Sequence, residues 1–180
     1  MSRRRTTIVL AATGLIAALG YSQYWVLTGR VATVEPGRLY RSAGLPPDRL
    51  LEICRRHGIT TVVDLRKDPT QTRAEAEILA REGIQHVSLP TGQVPSAETV
   101  VEFLRLMDGK RGEPVLIHCT HGVGRAGVFS AIYRMEYQGW PHWRAIAEAI
   151  ALSGFDSFGP GSAKEKYLSA YTPRRSRRTP

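Results

Sequence analysis

Short uninterrupted apolar runs alternate along this chain with longer stretches in which apolar residues return every three or four positions. The first pattern marks strands buried on both faces and the second marks amphipathic helices. Residues 31–34 and 39–41, broken by Pro36 and Gly37, predict a short hairpin. Pro46, Pro47 and Asp48 open a helix running to about His57, where Gly58 stops it. Residues 60–65 predict a short strand around Val62, Val63 and Leu65, 71–81 a helix closed by Gly83, and 86–89 a second short strand ending at Pro90. Ser96 caps a helix over 96–107, with Val100, Val101, Leu104 and Met107 at helical spacing. A strand over 115–118 follows, then helices over 126–138, 142–152 and 163–171. Strands alternating with helices predict an α/β sandwich around a central, mainly parallel sheet, in one domain over residues 31–171. No internal repeat is visible.

Composition supports an ordinary globular domain: 180 residues, 42% hydrophobic and 23% charged. The formal net charge of +9 is concentrated at the ends, in Arg3, Arg4 and Arg5 and in Arg174, Arg175, Arg177 and Arg178. Without those arginines the domain is only mildly basic, and no aromatic residues interleave the basic clusters, so nucleic acid is not an expected partner. Residues 172–180 read as a disordered basic tail, either in contact with anionic lipid or simply solvated.

Residues 1–28 read as a targeting segment. Three arginines precede an apolar run over 8–20, and apolar character resumes at Tyr24, Trp25, Val26 and Leu27. The expectation is an uncleaved membrane anchor with the domain outside the cytoplasm. The alternative is a signal peptide cleaved near Ala18, Leu19 and Gly20, with the domain secreted. Two cysteines give no disulfide framework. Cys54 falls on the apolar face of its helix as a small core residue, with a reversible disulfide to Cys119 the minority reading. Five dispersed histidines show no paired ligand spacing, so no metal and no cofactor are expected.

The chemistry concentrates in the segment from Val115 to Gly127, which reads VLIHCTHGVGRAG. An apolar strand delivers His118 and Cys119, a loop with Gly122 and Gly124 leads to Arg125, and a helix begins at Ala126. Loop amides and a helix N-terminus gather donors and partial positive charge in one small bowl, which suits a phosphate. A cysteine at the start of such a loop is expected to be held largely as thiolate. Arginine at its end offers a planar fork to two phosphate oxygens.

Cysteine, five residues and arginine, set between strand and helix, resemble the cysteine-dependent protein phosphatases. The dual-specificity branch, with HCxxGxxR followed by Ser or Thr and then Gly, is the nearer match. Residues 36–42 and 58–66, with Gly139 and Trp140, resemble a bacterial branch of that family, and the likeness extends over 34–171. It implies that Cys119 is a nucleophile forming a phosphocysteine and that Arg125 binds the phosphoryl oxygens. Thr120, His121, Gly122, Val123 and Gly124 would complete the cradle, with His118 ordering the loop. Asp64 and Arg66 lie at the C-terminal end of a sheet strand as a supporting pair, with Arg66 a possible second cation.

Two departures stand out. Ala126 occupies the place of the family's hydroxyl residue, which stabilises the thiolate as a leaving group. Residues 89–95, where the family carries an aspartic general acid, hold no carboxylate; Asp68 and Glu98 are the candidates to replace it. The expected activity is hydrolysis of phosphate monoesters, phosphotyrosine-type, on a phosphorylated protein or small phosphoester. Its alternatives are a phosphoinositide or phospholipid-phosphate phosphatase, or a weakly active module that binds phosphorylated ligands. Rhodanese-like sulfur transfer is disfavoured because its loop is typically one residue shorter. Oligomeric state is not legible.

Overall fold

The computed structural model describes residues 28–153 and 155–174, with single positions 8, 13, 14 and 20 ahead of them. The expected anchor or signal peptide therefore lies almost wholly outside the described residues, as does the tail beyond Arg174. Among the described residues no helix is long and apolar enough to cross a membrane.

The chain begins as an antiparallel hairpin of β1 (Ala32–Glu35) and β2 (Leu39–Ala43). Next comes α1 (Pro47–His57), opened by proline and closed by Gly58 at φ 63°, a left-handed position that glycine takes without penalty. Then follow β3 (Thr61–Asp64), α2 (Pro69–Arg81), β4 (Gln85–Ser88), α3 (Ala97–Gly109) and β5 (Val115–Cys119). Four helices complete the described fold: α4 (Arg125–Tyr137), α5 (His142–Ser153), α6 (Phe155–Phe158) and α7 (Ala163–Ala170).

The five strands form one sheet in the order β1-β2-β5-β3-β4, parallel except for the β1–β2 hairpin. All five residues of β5 are buried, because the strand is central and both sheet faces are covered. Register aligns Ala43 with Cys119 and Asp64 with His118, so the C-terminal ends of three parallel strands meet at one edge. That edge is where sites form in such sheets.

Strand alternation sorts the core into two layers. Val115, Ile117 and Cys119 face a cluster with Phe103 and Met107 of α3 and Phe129 and Ile132 of α4. Leu116, Val62 and Tyr40 face the other way, toward Leu50, Ile53 and Cys54 of α1 and Leu79 of α2. The two cysteines thus occupy opposite faces of the sheet, which corrects the disulfide reading. Burial, the larger effect, pushes the Cys54 thiol up to about 11, and Glu75 adds to it.

Beyond small shifts at element ends, three features differ from expectation. Helix α2 starts at Pro69 rather than at 71, because Asp68 caps it: its carboxylate accepts from the amides of Thr70 and Gln71 at 2.9 and 3.4 Å. Helix α6 is too short for any periodicity in the sequence to mark it. The segment expected to be a free basic tail begins held in place. The Arg174 guanidinium donates to Glu136 Oε2 at 2.9 Å and to Asp108 Oδ2 at 2.7 Å. Glu136 is only 4% exposed, and a buried carboxylate requires such a partner.

Candidate active site

Strand β5 ends on Cys119, 2% exposed, and α4 begins six positions later at Arg125. Gly124 is the N-cap of α4 and supplies no side-chain acceptor, so the first-turn amides keep their donors for a ligand. The loop between them is compressed against β2. Gly122 sits at φ 71°, and a Cβ there would lie 2.4 Å from the Ala43 amide nitrogen. A Cβ on Gly124 would lie 2.9 Å from Ser157 Oγ. Neither position accepts a larger residue without displacing its neighbours.

Arg125 is fixed at both ends of its fork. Nη1 donates to the Leu65 carbonyl at 2.8 Å and Nη2 to Thr120 Oγ1 at 3.1 Å. The guanidinium is thereby oriented before any ligand arrives. Arg125 and Thr120 line an open cleft of about 330 Å³, with Lys67, Asp68, Gln71 and Gln93 among its walls. The His121 side chain is exposed, and its carbonyl accepts from Arg30 at 2.9 Å. Val123 is half-buried.

Beneath the loop lies a buried charge network. Arg66 Nη2 is 2.8 Å from both Asp64 Oδ2 and Glu75 Oε2, and Arg66 Nε is 2.9 Å from Asp64 Oδ1. His118, 1% exposed, brings Nε2 to 2.8 Å from Glu75 Oε1, and His86 Nε2 lies 3.4 Å from the same oxygen. Burial drives the Glu75 carboxyl up, but His118, His86 and Arg66 together outweigh it and hold the group at about 2. Burial opposes the Asp64 carboxylate too, and Arg66 and His118 hold it below the usual range. Arg66 is therefore the counter-ion of two carboxylates, and it also lines the cleft beside Arg125. Asp64, Glu75 and His86 place ligand atoms within 4.8 Å of one another, but Arg66 already supplies the positive charge there.

The two general-acid candidates part company. Asp68 lines the cleft beside Thr120 and Arg125. Its Oδ2 also accepts from the Gln71 side-chain amide at 2.8 Å, so three donors converge on this carboxylate. Glu98 lies exposed in the first turn of α3, and the cleft lining does not include it. Hydrogen bonds at that helix start, from its own backbone amide and Ser96, hold its carboxyl low. Glu98 is thus a first-turn helix acid outside the cleft lining.

Sequence reasoning did not single out Glu75, Arg41 or Lys164. Arg41 is 1% exposed on β2, its Nη1 3.4 Å from where a Gly127 Cβ would stand. Burial pushes its guanidinium down to about 10, against the opposing effects of Glu148 and Cys119. Lys164 reaches the loop from α7.

Comparison with known proteins agrees with this geometry. Residues 38–168 match the family model described as DSP-PTPase phosphatase fused to NAD+ kinase. The dual specificity protein phosphatase TpbA of Pseudomonas aeruginosa (strain UCBPP-PA14) is 38% identical over 112 residues, covering 61% of this chain and 49% of that protein. This chain thus aligns with about half the length of that relative. A crystal structure of P. aeruginosa TpbA superposes with a TM-score of 0.62 at 29% identity, covering 79% of this chain and 90% of that one. Another, of a Cys-to-Ser TpbA in complex with phosphotyrosine, gives a TM-score of 0.58 at 28% identity, covering 77% and 93%. With a cysteine, five-residue loop and arginine built between β5 and α4, the chain belongs to the DSP-PTPase family of cysteine-dependent phosphatases.

Proposed function

We propose that this chain hydrolyses phosphate monoesters through a phosphocysteine. The observation that carries the reading is Arg125, pinned to Leu65 and Thr120 over an open cleft and set beside buried Cys119 at an uncapped helix start. The Cys119 sulfur attacks phosphorus, the bond to the ester oxygen breaks, and the leaving group departs with that electron pair. Arg125 and the loop amides hold the phosphoryl oxygens as charge spreads over them. Water then attacks the phosphocysteine, the S–P bond breaks, and inorganic phosphate leaves with the thiolate restored. The proton for the leaving group comes from water or from Asp68.

A phosphotyrosine-type ester is the substrate class supported by the TpbA complex. The cleft favours a second reading, a phosphorylated polyol such as a phosphoinositide headgroup, because its lining is polar and carries no aromatic ring. A panel of aryl, alkyl and inositol phosphates decides between them by kcat/KM. On p-nitrophenyl phosphate, with chelator present, Cys119→Ser is expected to abolish turnover. Arg125→Lys should lower it by about 10²-fold or more, since lysine keeps the charge but loses the fork. Undiminished turnover in Cys119→Ser contradicts the proposal.

A further inference from the structure

Lys164 is the second residue of α7, a helix capped by Ser162, and its ammonium reaches back to the phosphate loop. Nζ donates to the Ser157 carbonyl at 3.1 Å and to Ser157 Oγ at 3.0 Å. Phe158 lies beside it, the ring centroid 5.6 Å from Nζ. That ring is wholly buried and packs on the first turn of α4, where a Cβ on Gly127 would meet Phe158 Cε2 at 3.0 Å. Helix α6 is thus wedged against the loop and holds the ammonium in place. A Cβ on Gly124 would stand 3.2 Å from Nζ, which puts the charge against the residue that caps α4.

The electrostatics of this placement are incomplete. Burial lowers the Lys164 pKa, Cys119 acts in the opposite direction, and Arg125 lowers it further. Among the described residues no carboxylate forms an ion pair with Nζ; its hydrogen bonds go to Ser157 alone. Two side-chain cations and the positive end of α4 therefore converge on one loop, with Cys119 as the acidic group facing them. A dianion bound in the loop is what offsets that accumulation of charge.

We propose that Lys164 is a phosphoryl-binding residue, contacting from the α7 side the dianionic group that Arg125 and the loop amides hold over Cys119. This rests on the phosphatase reading. The glycine at 124 then has a second purpose besides loop geometry: it leaves room for the ammonium to come up against the cradle. The contact favours dianionic over monoanionic ligands, because a second localised cation acts on the second charge.

The test measures p-nitrophenyl phosphate kinetics, with inorganic phosphate as competitive inhibitor, in the native chain, Lys164→Met and Lys164→Arg. Lys164→Met should raise both KM and the phosphate inhibition constant by about tenfold with a much smaller change in kcat, and Lys164→Arg should restore both to within about threefold. Phosphate binding by the native chain should weaken at alkaline pH as the lysine deprotonates below its usual range, and Lys164→Arg should remove that weakening. Unchanged KM and inhibition constant in Lys164→Met, with only a lower Tm, would overturn the proposal and leave Lys164 as a brace for α6. Calorimetric binding of inorganic phosphate separates the two readings. A native chain that binds phosphate without turnover refutes the phosphatase reading, while the Lys164 contact still stands or falls on the affinity of Lys164→Met.

Discussion

Ala126, wholly buried at the start of α4, removes a hydroxyl from the place where the family uses one to stabilise the departing thiolate. Ser130 does not replace it, because its Oγ donates to the Ala126 carbonyl at 2.8 Å, while Thr120 Oγ1 accepts from Arg125 at 3.1 Å. On the proposed function, the native chain should therefore form its phosphocysteine faster than it hydrolyses it. A pre-steady-state burst of phenol release should approach the enzyme concentration, and Ala126→Ser should shrink the burst while raising steady-state turnover about tenfold, the worth of one hydrogen bond to a charged group. No burst, together with no gain in Ala126→Ser, contradicts this. Cys119, Arg125 and the loop glycines were legible because they are neighbours in the chain and their chemistry is local. Lys164 was not, since only the packing of α6 and α7 carries it to the loop. Glu75 left a trace that went unused: it lies one helical turn before buried Leu79, on a face where a carboxylate needs a partner.

At the scale of elements, α2 joins fold to site through Asp68, which both starts the helix and lines the cleft. Two substitutions separate these roles. Asparagine caps nearly as well as aspartate, so Asp68→Asn should leave stability almost unchanged, whereas Asp68→Ala should cost about 1 kcal/mol by urea denaturation. If Asp68 only caps, kcat in both variants stays within about threefold of native for aryl and alkyl esters alike. A drop of about 10²-fold in Asp68→Asn, confined to leaving groups of high pKa, identifies it as the general acid. The Asp68–Pro69 pair is a helix-start signature, yet apolar periodicity marks the helix only from 71 because the first turn offers no apolar position to count. Helix α6 escaped for a related reason, although its Phe158 is a wholly buried core residue.

For the whole molecule, the sandwich was legible because short apolar strands and amphipathic helices each carry their own period. The strand order β1-β2-β5-β3-β4 was not, because pairing β5 between β2 and β3 is a choice among distant segments that local pattern does not record. That pairing is what makes the site: it sets Ala43 against Gly122, Asp64 beside His118, and the Leu65 carbonyl within reach of Arg125. It also places Cys54 across the sheet from Cys119, leaving Cys119 without a disulfide partner. On the proposed function, Cys119 is the covalent carrier of phosphate. The most direct measurement is rapid acid quench of the native enzyme turning over p-nitrophenyl phosphate, followed by peptide mass spectrometry. One added phosphoryl group is expected on Cys119, and none in Cys119→Ser. Turnover with no phosphorylated Cys119 at any quench time, in the native enzyme or the Ala126 variants, would contradict it.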